Sequence, residues 1–295
     1  MANEDASAAW GQRAAGWVRD TRLLDMAFAP FTAAVLEAAD LGSAMRVLDV
    51  GCGTGTLLEG ITDYGTGRDD VKSVGVDVSL SMVDAARRRV PAATVIRADA
   101  QVADLSQMSG GQVFDRVVSR FGVMFFDDAV AAFTNIRSAA APGARLAFAS
   151  WREDETDMFL HGLRAIGARL DTPVGPPTIG APGPLGLANA DHIRDVLTAA
   201  GWTSVEIAAI DGLCDFRLDG ADGIEERLAM VLNGSVGQHV RSQLEPQLGP
   251  EGWQEALDEA REELRGQMVD GGVQITGRTW LVTASNAGDA QPWSL

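Results

Sequence analysis

Residues 47–55 read VLDVGCGTG, an apolar run closed by an acid and followed by glycines at 51, 53 and 55. The run has the composition of a strand buried on both faces, and the glycines let the backbone turn sharply and lie bare to a ligand. Helix-like sequence follows at once. The loop is thus predicted at the carboxyl end of a strand with a helix N-terminus behind it, where open α/β sheets hold their ligands. Asp49 places a negative charge beside that ligand, which disfavours a pyrophosphate and favours an ammonium or sulfonium group.

Spacing narrows the choice. A dinucleotide fingerprint G-x-G-x-x-G begun at Gly51 needs a glycine at 56, where Thr56 stands, and no Lys-Ser or Lys-Thr pair follows as in a P-loop. A nicotinamide-dependent oxidoreductase is disfavoured on that ground. Outward from the loop, strand-like runs at 46–50, 73–77, 94–99, 115–120 and 145–151 alternate with helical segments, the pattern of parallel βαβ units. The second helix shows Ser81 and Asp84 as a capping box, Arg87 to Arg89 at its negative pole and Pro91 beyond. AAPG at 140–143 reads as a helix end that turns into the next strand.

The 295 residues are 46% hydrophobic and 22% charged, an ordinary globular composition. A formal charge of −17, from 41 acidic and 24 basic residues, repels phosphate backbones and anionic membrane surfaces, so neither nucleic acid nor membrane is an expected partner. The opening MANEDASAAW carries acids and no apolar core, no run is long enough to span a bilayer, and a cytoplasmic location is expected. Cys52 and Cys214 suggest neither a disulfide framework nor a zinc site; Cys52 reads as a small space-filling residue of the loop.

VLDVGCGTG resembles the first motif of the class I S-adenosylmethionine-dependent methyltransferases, and it has company. VGVDVS at 74–79 carries Asp77, RADAQ at 97–101 carries Asp99, and FDRVVSRFGVMFFDD at 114–128 is similar to the methyltransferases of ubiquinone and menaquinone biosynthesis and to related actinobacterial small-molecule enzymes. The resemblance implies S-adenosylmethionine as cofactor, S-adenosylhomocysteine as product, and no metal. It further implies that Asp49, Gly51, Gly53 and Gly55 form the cofactor loop and that Asp77 accepts hydrogen bonds from the ribose hydroxyls. Val78 and Met82 would pack on adenine, Asp99 would receive its amino group, and the backbone of Ala100 would meet the ring. The backbone near Ser119 and Arg120 would border the methionine end. Asp77 alone does not choose the cofactor, because dinucleotide enzymes use an acid in the same way. The Asn/Asp-Pro-Pro-aromatic tetrapeptide of DNA and protein-glutamine methyltransferases is absent.

These readings predict a Rossmann-like, mostly parallel seven-stranded sheet with helices on both faces and a helical cap inserted before an antiparallel last strand. The expected divisions are an N-terminal helical segment at 1–44, a cofactor-binding core at 45–210, the cap at 211–278, and the last strand and tail at 279–295. In the cap, 251–268 reads as an amphipathic helix with Trp253, Leu257 and Leu264 inward. The Pro/Gly-rich segment 172–188 is either a mobile flap or an ordered loop. Phe121, Phe125 and Phe126, with Trp10, Trp17 and Phe28, are either core or walls of a substrate pocket. His161 and His239 are candidates for a base, and His192 reads as a surface residue; no catalytic residue is assigned, and the oligomeric state is not readable. The expected activity is methyl transfer to the O, N or C atom of a small, apolar or aromatic acceptor of secondary metabolism. The alternative is a cofactor-binding protein of the same fold that does not methylate.

Overall fold

A computed structural model describes residues 16–65, 71–172 and 174–288; Trp10 lies outside them. Seven strands, β1 (Arg46–Val50), β2 (Lys72–Asp77), β3 (Thr94–Arg97), β4 (Phe114–Arg120), β5 (Ala140–Trp151), β6 (Thr203–Asp215) and β7 (Gln274–Ser285), form one sheet. Its order is β3-β2-β1-β4-β5-β7-β6. The first five pair in parallel, and β7 runs antiparallel between β5 and β6, as expected. In β1 the consecutive residues Val47, Leu48, Asp49 and Val50 are all buried, which requires cover on both faces of the sheet.

That cover comes from helices. α1 (Thr21–Ala27) and α2 (Ala29–Ala39) precede the sheet; α3 (Thr56–Tyr64), α4 (Leu80–Arg89) and α5 (Ala129–Ser138) connect its parallel strands. α6 (Ala190–Ala199) leads into β6, and α7 (Ile224–Asn233) and α8 (Ser235–Arg265) lie between β6 and β7. Because β1 is flanked by β2 on one side and β4 on the other, the chain reverses its winding direction there, opening a crevice at the carboxyl ends of these strands.

The crevice floor is set by an unusually close backbone contact. A Cβ on Gly51, whose φ is +67°, would lie 2.7 Å from Gly122 Cα, and one on Gly122 would lie 2.6 Å from the Val50 carbonyl oxygen. Ser119 clasps the same two strand ends: its Oγ donates to the Val50 carbonyl at 2.7 Å and accepts from Gly122 N at 3.2 Å.

Several local ends differ from the sequence reading. The cap of α4 is Ser79, whose Oγ accepts from Met82 N, while Asp84 pairs with Arg87 on the surface; a side chain two residues earlier reaches the free N–H better than Ser81 does. AAPG belongs to β5 and bulges from it, since Phe114 pairs with Ala140 but Arg116 already pairs with Arg145. β6 and β7 pair to Asp215 and Gln274, further than their apolar runs suggest, because each supplies the other's backbone hydrogen bonds. α8 starts before 251 and breaks at Gly249, between Pro246 and Pro250; past the break Trp253, Ala256, Ala260 and Leu264 are buried and Leu257 is half-buried. Within 172–188, Gly183 N donates to the Met124 carbonyl, Leu185 and Leu187 are buried, and Trp280 Nε1 donates to the Ala188 carbonyl. That part is a tethered loop.

The floor contact predicts that Gly122→Ala, with no room for its methyl group, lowers unfolding free energy by about 2 kcal/mol or more. Urea denaturation of the two proteins measures this.

Candidate functional site

At the crevice lies a cavity of about 260 Å³, far above the roughly 10–15 Å³ that one water needs. One end is made by the carboxyl ends of β1, β2 and β4, with Asp49, Gly51, Gly53, Asp77, Val78 and Arg120. Met82, Asp99 and Ala100 extend that end. The rest of the lining includes Trp17 and Phe28 from the N-terminal segment, Phe28 lying beside Arg120, with Met158 and Phe159 after β5 and Arg227 and Met230 of α7.

The glycine loop is held by its neighbour strand, since Gly51 N and Cys52 N both donate to the Val76 carbonyl. A Cβ on Gly53 would meet nothing within 4 Å, so its bare backbone faces open space. Gly55 does not line the cavity; its φ of +89° starts α3, and a Cβ there would press on Ala86 of α4 at 3.2 Å. Ser119 also lies outside the lining, fully buried in its clasp. Cys52 is buried, and burial drives its thiol well above the ordinary range, as suits a space-filling residue.

The electrostatics of this end centre on Asp49. It is 1% exposed and neither carboxyl oxygen has a hydrogen-bond partner among the described residues. Burial pushes its pKa up to about 8; Arg120 opposes that rise and Asp77 adds to it. Asp77 is also raised by burial, against hydrogen bonds that its carboxylate accepts from Ser79 N (2.8 Å) and Gly53 N (2.9 Å). Asp99 accepts from Gln101 N through Oδ1, while its buried Oδ2 has no partner. Each carboxyl is therefore fixed by the backbone or by packing and keeps accepting capacity to spare.

The sequence reading missed the polar clamp behind Arg120. Asp25 of α1 accepts from Thr56 Oγ1 at 2.6 Å and pairs with Arg89 at 2.7 Å; Arg89 in turn pairs with Glu59. Arg120 donates to Thr32 Oγ1 at 2.7 Å and lies 3.9 Å from Asp25. No local pattern marks these residues as partners, because they come from five separate elements. The clamp ties the N-terminal helices over the start of α3 and so closes the cavity on that side.

Phe121, Phe125 and Phe126 all line the cavity, and Phe121 is at once part of the core. Its ring stacks on Trp151 with centroids 4.3 Å apart and planes 6° from parallel, while Phe28 meets both edge-on. Phe121 holds a φ of +62°, costly for a bulky residue and sustained here by the surrounding rings. The histidines are elsewhere. His161 is buried outside the lining, and burial followed by the Arg227 charge brings its pKa down to about 4. His192 and His239 are exposed and likewise absent from the lining. Neither candidate base is thus at the cavity. Among the described residues no group of three or more His, Cys, Asp or Glu is arranged to hold a metal ion, and no helix is long and apolar enough to cross a membrane.

Residues 47–143 match the family described as Methyltransferase domain. Demethylmenaquinone methyltransferase of Paenarthrobacter aurescens is 27% identical over 186 residues, covering 60% of this chain and 70% of that one. An O-methyltransferase of Pyrenophora dematioidea is 24% identical over 223 residues, covering 75% and 76%. The structure of a proposed methyltransferase of Bacillus halodurans superposes with a TM-score of 0.53 at 16% identity, over 87% of this chain and 99% of that one. The fold is that of the class I S-adenosylmethionine-dependent methyltransferases.

Asp49 makes stability depend on pH in a defined direction. Its folded-state pKa lies above the unfolded value near 3.8, so its contribution is complete below that value and is lost as pH rises towards about 8. Asp49→Asn, which has no charge to bury, should gain stability relative to the wild type by up to about 1.4 kcal/mol per pH unit across that window. Urea unfolding of the ligand-free proteins at pH 5 and pH 7.5 checks the sign.

Proposed function

We propose that this protein transfers a methyl group from S-adenosylmethionine to a small apolar or aromatic acceptor, as part of secondary metabolism. The observation that carries the reading is the unpaired, buried carboxyl of Asp49 at the head of a bare-backbone glycine loop. A cationic group is the ligand that would relieve it. The amino-acid end of S-adenosylmethionine supplies such a cation.

The other free acceptors fit the rest of that molecule. Asp77 would take the ribose hydroxyls with the lone pairs left by its bonds to Ser79 N and Gly53 N. Asp99 Oδ2 would take the adenine amino group, with Val78 and Met82 against the ring and the backbone of Ala100 at its edge. Gly51, by its close fit to Gly122, and Gly55, by its packing on Ala86, would shape the loop from behind. Ser119 would act in the same indirect way, and Arg120 would border the methionine end from the wall of the cavity.

When bound, the cofactor supplies a methyl group on a positively charged sulfur, open to in-line displacement. The protein's share is then to align the acceptor and exclude water. Phe28, Phe121, Phe125, Phe126 and Trp151 line the space beside the loop with apolar surface, which supports an apolar or aromatic acceptor. The relatives named above include one that methylates demethylmenaquinone and one O-methyltransferase, in keeping with an acceptor of that general kind.

Calorimetric titration tests the cofactor. S-adenosylhomocysteine is expected to bind the wild type and NADH is not, with Asp77→Ala weakening the former about tenfold or more, the cost of a lost charge-assisted hydrogen bond. Affinity should also rise between pH 6 and 8, by up to about tenfold per unit, because Asp49 must ionise to receive the ammonium; Asp49→Asn should flatten that slope. A folded sample that binds no S-adenosylhomocysteine removes the reading.

A further inference from the structure

In the lining of the cavity, α7 presents Arg227, whose side chain is fully buried. Burial draws its pKa down to about 10, still far above neutrality, so the guanidinium stays charged. A buried cation is expected to have a carboxylate partner. Arg227 has none among the described residues.

Its hydrogen bonds are instead to carbonyls. Nε donates to the His161 carbonyl at 3.1 Å, and Nη2 donates to the carbonyls of Asp157 (3.1 Å) and Met158 (2.8 Å). Among the described residues Nη1 meets only the thioether sulfurs of Met158 and Met230, both at 3.9 Å, which are weak acceptors. One face of the guanidinium also lies over the Phe216 ring, 5.2 Å from its centre.

The carboxylates that surround Arg227 are committed elsewhere. Glu155 accepts from Met158 N and Arg278 N, Glu263 accepts from Gly162 N and Ala165 N, and Asp157 pairs with Arg164. Three carbonyl bonds thus lock the guanidinium in place while its Nη1 edge, two strong donors, stays poorly satisfied beside the cavity. Asp49, Asp77 and Asp99 share the lining with Arg120 near the glycine loop, whereas Arg227 enters it from α7.

We propose that Arg227 is an acceptor-binding residue and that the methyl acceptor is an aromatic or apolar molecule bearing an oxyanion, which Arg227 Nη1 receives. The assignment deepens the methyl-transfer reading and rests on it for the word acceptor. The anion preference itself is a property of the cavity and can be read separately. Met158 and Met230, flexible and polarisable, are suited to move aside as the oxyanion approaches.

The test is calorimetric binding of 2-naphthoate and 2-naphthamide, equal in shape and different in charge, to the full chain. S-adenosylhomocysteine is titrated into the same samples. The wild type is expected to bind the naphthoate about ten- to a hundredfold more tightly than the naphthamide, as a charge-assisted hydrogen bond implies. Arg227→Gln should erase that preference, Arg227→Lys should keep part of it, and neither should change the affinity for S-adenosylhomocysteine. Met230→Glu leaves the arginine in place but offers it an internal partner, so it too should erase the preference; it decides the matter if Arg227→Gln does not fold. The proposal is overturned if the wild type binds the naphthoate no better than the naphthamide, including if it binds neither at millimolar concentration. It is equally overturned if the preference survives in Arg227→Gln or Met230→Glu. Failure of S-adenosylhomocysteine alone to bind would instead remove the methyl-transfer reading, leaving an anion-binding cavity.

Discussion

The crevice depends on two strand ends meeting where no side chain fits between them. Gly51 and Gly122 approach so closely that a methyl group on either would sit inside the other's backbone contact. Ser119 spans the same junction, bonding Val50 on one side and Gly122 on the other. This contact aligns the ends of β1 and β4, and with them the loop, Asp49 and the strained Phe121. Loosening it would move the glycine-loop side of the cavity and the aromatic wall together, because both grow from the same few residues.

Charge is arranged against that rigid floor. In the lining of its cavity this acidic chain buries a carboxyl and a guanidinium that have no partner of opposite charge in hydrogen-bond contact among the described residues. Each is costly to bury without a partner of opposite sign. Stability is thus given up at two fixed places, which is how a binding site with defined polarity differs from a well-packed core. Between them the stack of Phe121 on Trp151 supplies apolar surface without a titrating group, consistent with chemistry that needs alignment and dryness more than a base.

Much of this was readable locally. Continuous apolar runs separated by helical segments predict a parallel sheet covered on both faces, and the glycine spacing with Thr56 at the decisive position separates this loop from a dinucleotide loop. Asp49, Asp77 and Asp99 stand at or just beyond strand ends, so their place at the crevice follows once the strands are recognised. Helix ends were less legible: Ser79 and Ser81 are two residues apart, and only backbone geometry tells which hydroxyl reaches the free N–H. Arg89 reads as a helix-pole residue from its sequence position, whereas in the fold it reaches Asp25 and Glu59.

The sequence by itself determined the class of fold and the place of the glycine loop and its acids at the crevice, because both are written in short-range patterns: periodicity, glycine spacing, an acid at a strand end. Tertiary structure alone decided what faces that loop. Asp25 meets Thr56 across 31 residues, Phe28 meets Trp151, and Arg227 reaches carbonyls 66 to 70 residues away. Such contacts leave no periodic trace, since each depends on how separate elements pack over one another. The setting of Arg227 is of the same kind: an arginine in an amphipathic helix looks solvated in sequence, and only the packing of α7 against the turn after β5 buries it among carboxylates already bonded to other groups.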